Sequence, residues 1–386
     1  MQAPPDTTTA ATPTPSVPWF VWCTVLAVTS AMIGGHWDIS WHRSIGRDAF
    51  WTAPHIAIYL CGVLAGVSSA YLILSTTLGR NRDLAPSSVS MWGFRGPLGA
   101  FIAAWGGVAM LTSAPFDDWW HGAYGLDVKI ISPPHALLSL GIFSVQVGAL
   151  LLILGYMNRS EGALKQKFLR LFLYVGGSIV VLGTLFLMEE TGRTVMHTAE
   201  FYRAVAIAMP FILVGISRAA PHRWACTIMA ALYTLFQMAL IWILPLFRAE
   251  PKLGPVYYNV THFVPPAFPL LLLAPAVALD LLRRVSPRWG VWRETMATGT
   301  LFVAVFFAVQ WPFANFLQSP WARNWFFGTA YFGYYEHPTW LHRQYRFWPA
   351  GSGTHVAIVM ASAVLVAILG SALGLKLGEW MRRIKR

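Results

Sequence analysis

Uninterrupted apolar runs of about twenty residues, separated by short polar connections, dominate the chain. Ten can be marked, at roughly 18–35, 51–77, 96–114, 132–156, 166–188, 199–217, 223–247, 262–282, 296–317 and 354–380. Their apolar character runs all the way round a helix rather than along one stripe, which is what a lipid surrounding demands. The pattern predicts an all-α, polytopic integral membrane helical bundle of about ten transmembrane helices, with the lipid bilayer as its first partner. Residues 1–17, rich in Pro, Thr and Ala and lacking Lys and Arg, are expected to form a disordered tail. They lack the basic n-region of a secretory signal, so the first apolar run is read as a retained span. The remainder, 18–386, is expected to be one transmembrane domain, with no separate soluble unit long enough to fold alone.

Composition agrees with this picture and adds an orientation. Hydrophobic residues make up 56% of the chain and charged ones 11%, yet the formal net charge is +12. In a soluble chain such a charge would suggest nucleic acid. Here the basic residues gather in alternate short loops, the positive-inside signature, so no nucleic-acid partner is implied and both termini are expected in the cytoplasm. The same topology puts all eleven histidines except His222 in outer loops or outermost helical turns. Many tryptophans and tyrosines share that level, among them Trp119, Trp120, Tyr257, Tyr258, Trp321 and Trp325, and most are accounted for as an interfacial aromatic belt. Cys23, Cys61 and Cys226 fall in or beside apolar runs without CxxC spacing, so neither a disulfide framework nor a thiolate metal site is offered.

The polar connections contain one motif twice. Asp38 to Asp48 reads DISWHRSIGRD and leads through Pro54 to His55; about eighty residues later, Asp117 to Asp127 reads DDWWHGAYGLD and leads through Pro133 and Pro134 to His135. Aligned on the first histidine, both copies read D-x2-W-H-x3-G-x-D, followed by Pro-His at the mouth of the next apolar run. The copies define two hairpins, 36–77 and 115–156. Asp and His four residues apart share a helix face, and the later His enters from the neighbouring helix, so Asp38, His42, His55 and Asp117, His121, His135 are candidate metal triads. Carboxylate and imidazole donors without thiolate suit copper first, with iron or zinc as alternatives. The prolines suit the first turn of a helix, Thr52 or Ser132 suits its cap, and Gly46 and Gly125 suit turns with positive φ. The competing reading pairs each Asp with its own His by hydrogen bonding and holds no ion.

Other residues are weaker candidates. Asp48 and Asp127 are placed to orient a ligating imidazole through its free N–H, or to pair with Arg47 and Lys129 in solvent. Glu189, Glu190 and His197 form an acidic and imidazole cluster at an outer helix end, a source of extra ligands, a proton route, or structure alone. The long outer loop 318–353 contains His337 and His342, with His355 just beyond, and is expected to fold over the site.

The D-x3-H-x12-H spacing of Asp38, His42 and His55 resembles the membrane metal triad in the C subunit of the copper membrane monooxygenases, the particulate methane and ammonia monooxygenases; the second copy is longer by one residue. The resemblance implies an outward-facing copper site on an all-helical membrane scaffold, oxidising a small apolar substrate with dioxygen. On this reading the protein is a membrane oxidoreductase of the cell's inner membrane with its site toward the periplasm, fed by a quinol or periplasmic electron donor and associated with other membrane subunits. The alternative is a metal transporter, metal-delivery protein or structural subunit of a respiratory membrane complex. A bis-histidine haem site built from His55 and His135 is a third option, which leaves the repeated aspartate unexplained.

Overall fold

Among the described residues ten α-helices form where the apolar runs lie: α1 Trp19–Ser44, α2 Ala53–Thr77, α3 Leu98–Tyr124, α4 Pro133–Arg159, α5 Gly162–Phe186, α6 Ala199–Ala219, α7 Ala225–Ile243, α8 Leu273–Val285, α9 Val291–Gln318 and α10 Gly353–Arg382. The computed structural model describes residues 16–46, 49–125, 132–193, 195–252, 260–286, 289–330 and 351–384, excepting the side chains of 82 and 83. The expected N-terminal tail lies, but for its last two residues, outside these segments, as do Arg47, Asp48, Asp127, Lys129, His337 and His342. Among the described residues, nine of the helices are long and apolar enough to cross a membrane. The protein is an all-α polytopic bundle; the described sheet is a small hairpin, β1 Val89–Met91 and β2 Phe94–Gly96, between α2 and α3.

Ring contacts and hydrogen bonds fix which helix ends lie together. Trp19 at the start of α1 meets Tyr71 near the end of α2 at 4.8 Å, and Phe20 meets Tyr156 near the end of α4 at 5.9 Å. Asn158 Nδ2 donates to the carbonyl of Ile384 at 2.7 Å, so the end of α10 joins the same face. The opposite face gathers the ends of α1 and α3, the starts of α2, α4, α6 and α10, and both copies of the repeated motif.

The eighth crossing departs from the expected helix over 262–282. Helix begins only at Leu273 and runs 13 residues, while 263–271 is non-helical and contains Pro265, Pro266 and Pro269. Thirteen helical residues reach about 20 Å, short of an apolar thickness of about 30 Å. The chain just before the helix, 263–271, is non-helical backbone. Such backbone is tolerated at this depth only if protein satisfies it. Ser40 Oγ donates to the Val264 carbonyl at 2.7 Å, the Val264 N–H donates to Ser44 Oγ at 2.8 Å, and Arg193 donates to the carbonyls of Pro265 and Pro266 at 3.1 and 3.2 Å. Tyr233 Oη and Gln310 Oε1 accept from the N–H groups of Leu270 and Leu271, both at 2.9 Å.

The motif-bearing helices pack as two hairpins, α1 with α2 and α3 with α4, joined by contacts of α2 with α3 and of α1 with α4. Glycines set the closeness of the second hairpin. A Cβ on Gly106 would stand 2.7 Å from the Gly141 carbonyl, and Gly99 and Gly148 meet in the same way one heptad away. Backbone therefore lies on backbone along the α3–α4 seam, a packing that van der Waals contact favours in lipid. That seam carries the helix ends, and with them Asp117 and His135, to contact distance.

Candidate metal centre

Asp117 and His121 sit one turn apart near the end of α3, and His135 stands at the third position of α4. Pro133 and Pro134 occupy the first turn of α4, and the side chain of Ser132 caps it by accepting from the His135 N–H at 3.5 Å. Thr52, at the equivalent place before α2, makes no cap hydrogen bond. The three side chains meet at a single atom: Asp117 Oδ1 lies 3.5 Å from His121 Nε2 and 3.4 Å from His135 Nε2. Ligand atoms of all three residues fall within 4.8 Å of one another, and this is a group that fits a metal ion among the described residues.

Three details fit a cation better than an Asp–His hydrogen bond. Asp117 Oδ1 is shielded from solvent and accepts no hydrogen bond. His121 Nδ1 is 3.0 Å from the Gly125 carbonyl, which only accepts, so in the neutral ring Nδ1 carries the proton and Nε2 turns a lone pair toward the carboxylate. An imidazole that donates through its other nitrogen to a carbonyl is the usual arrangement around a ligating histidine. The two edges from Asp117, 3.5 and 3.4 Å, also suit a metal, because donors about 2.0–2.1 Å from an ion in tetrahedral geometry stand about 3.4 Å apart. Lone pairs facing one another at that spacing repel unless a proton or metal ion lies between them.

The repeated glycine acquires a reason here. Gly125 has φ 86° and ψ −164°, a conformation open essentially to glycine alone, and this turn aims its carbonyl back at His121. Gly46, at the same place in the first copy, has φ 103°. In that copy Asp38 reaches both partners through different oxygens, Oδ2 to His42 Nε2 at 3.7 Å and Oδ1 to His55 Nε2 at 3.4 Å. His55 Nδ1 faces the Phe50 carbonyl at 3.4 Å, which also accepts from Tyr59 Oη at 3.0 Å. The same residue types are neighbours, but the carboxylate bridges where Asp117 converges, and among the described residues it is the second copy that brings ligand atoms of all three residues within 4.8 Å of one another.

The remaining candidates lie elsewhere. Glu189 and Glu190 are exposed, whereas His197 is buried, 3.2 Å from Gln318 Nε2 through Nδ1 and packed edge-on to Trp311 at 5.0 Å. Burial lowers the His197 pKa below the ordinary histidine value, an effect that hydrogen bonds to Asn315 and the Trp311 backbone partly offset. His355 pairs with Glu200 at 2.7 Å, tying the starts of α6 and α10 together.

Some polar pairings had no counterpart in the sequence reading. His36, expected in an outer loop or outermost turn, is instead buried inside α1, which runs on to Ser44, and faces Gln237 Nε2 of α7 at 3.1 Å. At the far face Asp280, fully buried, accepts from the N–H groups of Cys226 and Thr227 and from Thr227 Oγ1, capping α7 from α8, while Arg218 joins Glu379 at 2.7 Å and Glu294 at 3.6 Å. A lone acid or base in an apolar run gives no sign of its partner on another helix.

No protein-family model matches the chain, and neither a curated protein nor a solved structure matches it.

Proposed function

We propose that the protein is a membrane-bound metal oxidoreductase whose Asp/His triads hold copper at the outer face of the cell's inner membrane. The observation that carries this reading is the convergence of two imidazole nitrogens on the shielded Oδ1 of Asp117, at 3.5 and 3.4 Å. Copper is favoured over iron or zinc by a donor set of imidazole and carboxylate without thiolate, and by the resemblance of the Asp38, His42 and His55 spacing to the copper membrane monooxygenases. Bound copper would supply dioxygen chemistry to a small apolar substrate. The chain's part is to hold and screen the site: Asp117, His121 and His135 offer the donors, and the Gly125 carbonyl keeps the His121 proton on Nδ1. Phe116, Trp119, Trp120 and Tyr124 pack ring against ring along the end of α3, with Trp120 and Tyr124 at 4.5 Å, and give an apolar substrate arriving from the bilayer an aromatic surface that sheds water. Electrons would come from a quinol or a periplasmic donor, delivered with the help of other membrane subunits.

A second reading, metal capture or transport, draws on the non-helical stretch 263–271, because interrupted membrane helices line many transport sites. Against it, several of the N–H and carbonyl groups of that stretch are already held by Ser40, Ser44, Arg193, Tyr233 and Gln310. Elemental analysis and the visible and paramagnetic spectra of the detergent-purified protein test the proposal, alongside the His42→Ala, His121→Ala double variant. Stoichiometric copper lost in the double variant, with dioxygen uptake on adding a quinol and a small hydrocarbon, is the expected result. Copper binding without dioxygen uptake would favour capture, and a Soret band would replace both readings with haem.

A further inference from the structure

The last two turns of α1 are held on two sides. One face carries Asp38 and His42. Another, made by Trp37, Ser40, Trp41, Ser44 and Ile45, lies against the chain that connects α7 to α8. The two described arms of that connection, 247–252 and 260–264, pair with each other: Ala249 N–H donates to the Thr261 carbonyl at 3.1 Å, Phe263 N–H to the Phe247 carbonyl at 3.1 Å, and Arg248 bridges to His262. Together they form a strap across the helix end.

Its grip is specific. Ser40 and Ser44, one turn apart and both buried, engage the carbonyl and the N–H of Val264 at 2.7 and 2.8 Å, and Ser44 Oγ donates onward to the Ser40 carbonyl at 2.6 Å. The Lys252 N–H donates to the Ile45 carbonyl at 3.0 Å, completing a helix end that would otherwise leave an acceptor over. Phe263, Ala249 and Leu244 close an apolar cluster over Trp37 and Trp41. The second copy is built otherwise. Among the described residues no segment pairs in this way with the end of α3, where 122–125 are exposed and Trp119 and Tyr124 stand 57% and 67% accessible.

We infer that the strap is a positioning device for the first copy of the motif: through Ser40 and Ser44 it fixes the end of α1, and so the placement of Asp38 and His42 against His55. Neither serine touches a ligand atom; both act through the helix. The inference rests on the metal-binding reading and makes the first copy a rigid site that releases its ion slowly. Ser40 and Ser44 align with Trp119 and Ala123 of the second copy, so the clamping hydroxyls belong to the first copy alone; their partner comes from a segment about two hundred residues away.

Two measurements on the full-length protein in detergent test it. The first needs no metal: hydrogen exchange of the α1 end, 41–46, compared with the α3 end, 121–125. Ser40→Ala with Ser44→Ala, substitutions that favour helix, should speed exchange at 41–46 about tenfold, the factor corresponding to one or two buried hydrogen bonds, and leave 121–125 unchanged. The second is the rate at which a chelator removes Cu(II). With only the first site retained, by Asp117→Ala and His121→Ala, the serine pair should accelerate removal about tenfold; with only the second retained, by Asp38→Ala and His42→Ala, it should change nothing. Unaltered exchange at 41–46 overturns the clamp whatever the metal does. Faster exchange with unaltered removal overturns the positioning role and leaves the metal-binding reading intact. If neither single-site protein holds copper, that reading fails, and positioning of a metal site fails with it.

Discussion

Replacing Gly125 with alanine tests the link between backbone shape and ligand chemistry. At φ 86° and ψ −164° the residue occupies a region where a Cβ costs about 1–3 kcal/mol. Among the described residues nothing lies within 4 Å of the position a Cβ would take, so the penalty they impose is conformational and not steric crowding. The cheapest relief is a change of φ and ψ, which swings the Gly125 carbonyl away from His121 Nδ1, now 3.0 Å distant. His121 would then lose the contact that fixes its tautomer and ring orientation, a change that lowers metal affinity about 10- to 100-fold at comparable sites. Gly122→Ala is the control: Gly122 lies inside α3, exposed, also with nothing within 4 Å, and alanine there should stabilise the helix by about 1 kcal/mol. Copper titration of the two variants, in protein whose first site is removed by Asp38→Ala and His42→Ala, reads the effect. The expected result is weaker binding in Gly125→Ala and unchanged binding in Gly122→Ala. Equal affinities in both variants and the parent would refute the reasoning, as would an equal loss in both.

Further outcomes follow from the same geometry. Gly106→Val should separate α3 from α4, because even its Cβ would meet the Gly141 carbonyl at 2.7 Å, and thermal unfolding in detergent should fall together with copper retention at the second site. Asp280→Ala removes the acceptor of three hydrogen bonds at the start of α7 from a fully buried position, and should destabilise the protein by about 3–5 kcal/mol in denaturant titration without changing copper stoichiometry. His197 has its pKa lowered by burial, so the unfolded chain binds the extra proton first; stability is full above the ordinary histidine value and declines as pH falls through it, and His197→Gln should flatten that part of a melting-temperature profile. Copper at 100 times its dissociation constant should raise stability by about 2.7 kcal/mol, an increment absent from Asp117→Ala in the first-site-deleted protein.

Much of the fold was legible because lipid leaves few options. A run of about twenty apolar residues has to be helical, and the alternation of basic loops with histidine-rich ones orders the helices into two faces; Trp19 against Tyr71 and Asn158 against Ile384 bear out that ordering. The convergence of the second copy's side chains was legible because Asp117 and His121 share a helix face and proline fixes where His135 enters. The exception at 263–271 had a local signal in Pro265, Pro266 and Pro269, which remove three N–H donors, but the average apolarity of the window outweighed it. What was not legible depends on pairing between distant segments. Nothing near Asp280 announces the start of α7 as its partner, and nothing near Ser40 announces Val264. Gly125 was expected to turn the chain, and it does; that its carbonyl also holds the proton of His121 is visible only in three dimensions.

The central claim, that Asp117, His121 and His135 jointly hold a cation, is tested most directly by X-ray absorption at the metal edge on copper-loaded protein lacking the first site through Asp38→Ala and His42→Ala. The account predicts one metal per chain whose first coordination shell contains two imidazole nitrogens and a carboxylate oxygen at about 2.0–2.2 Å, with the imidazole signal halved in His135→Ala. A shell without imidazole, or a metal removed by simple dialysis, would contradict it.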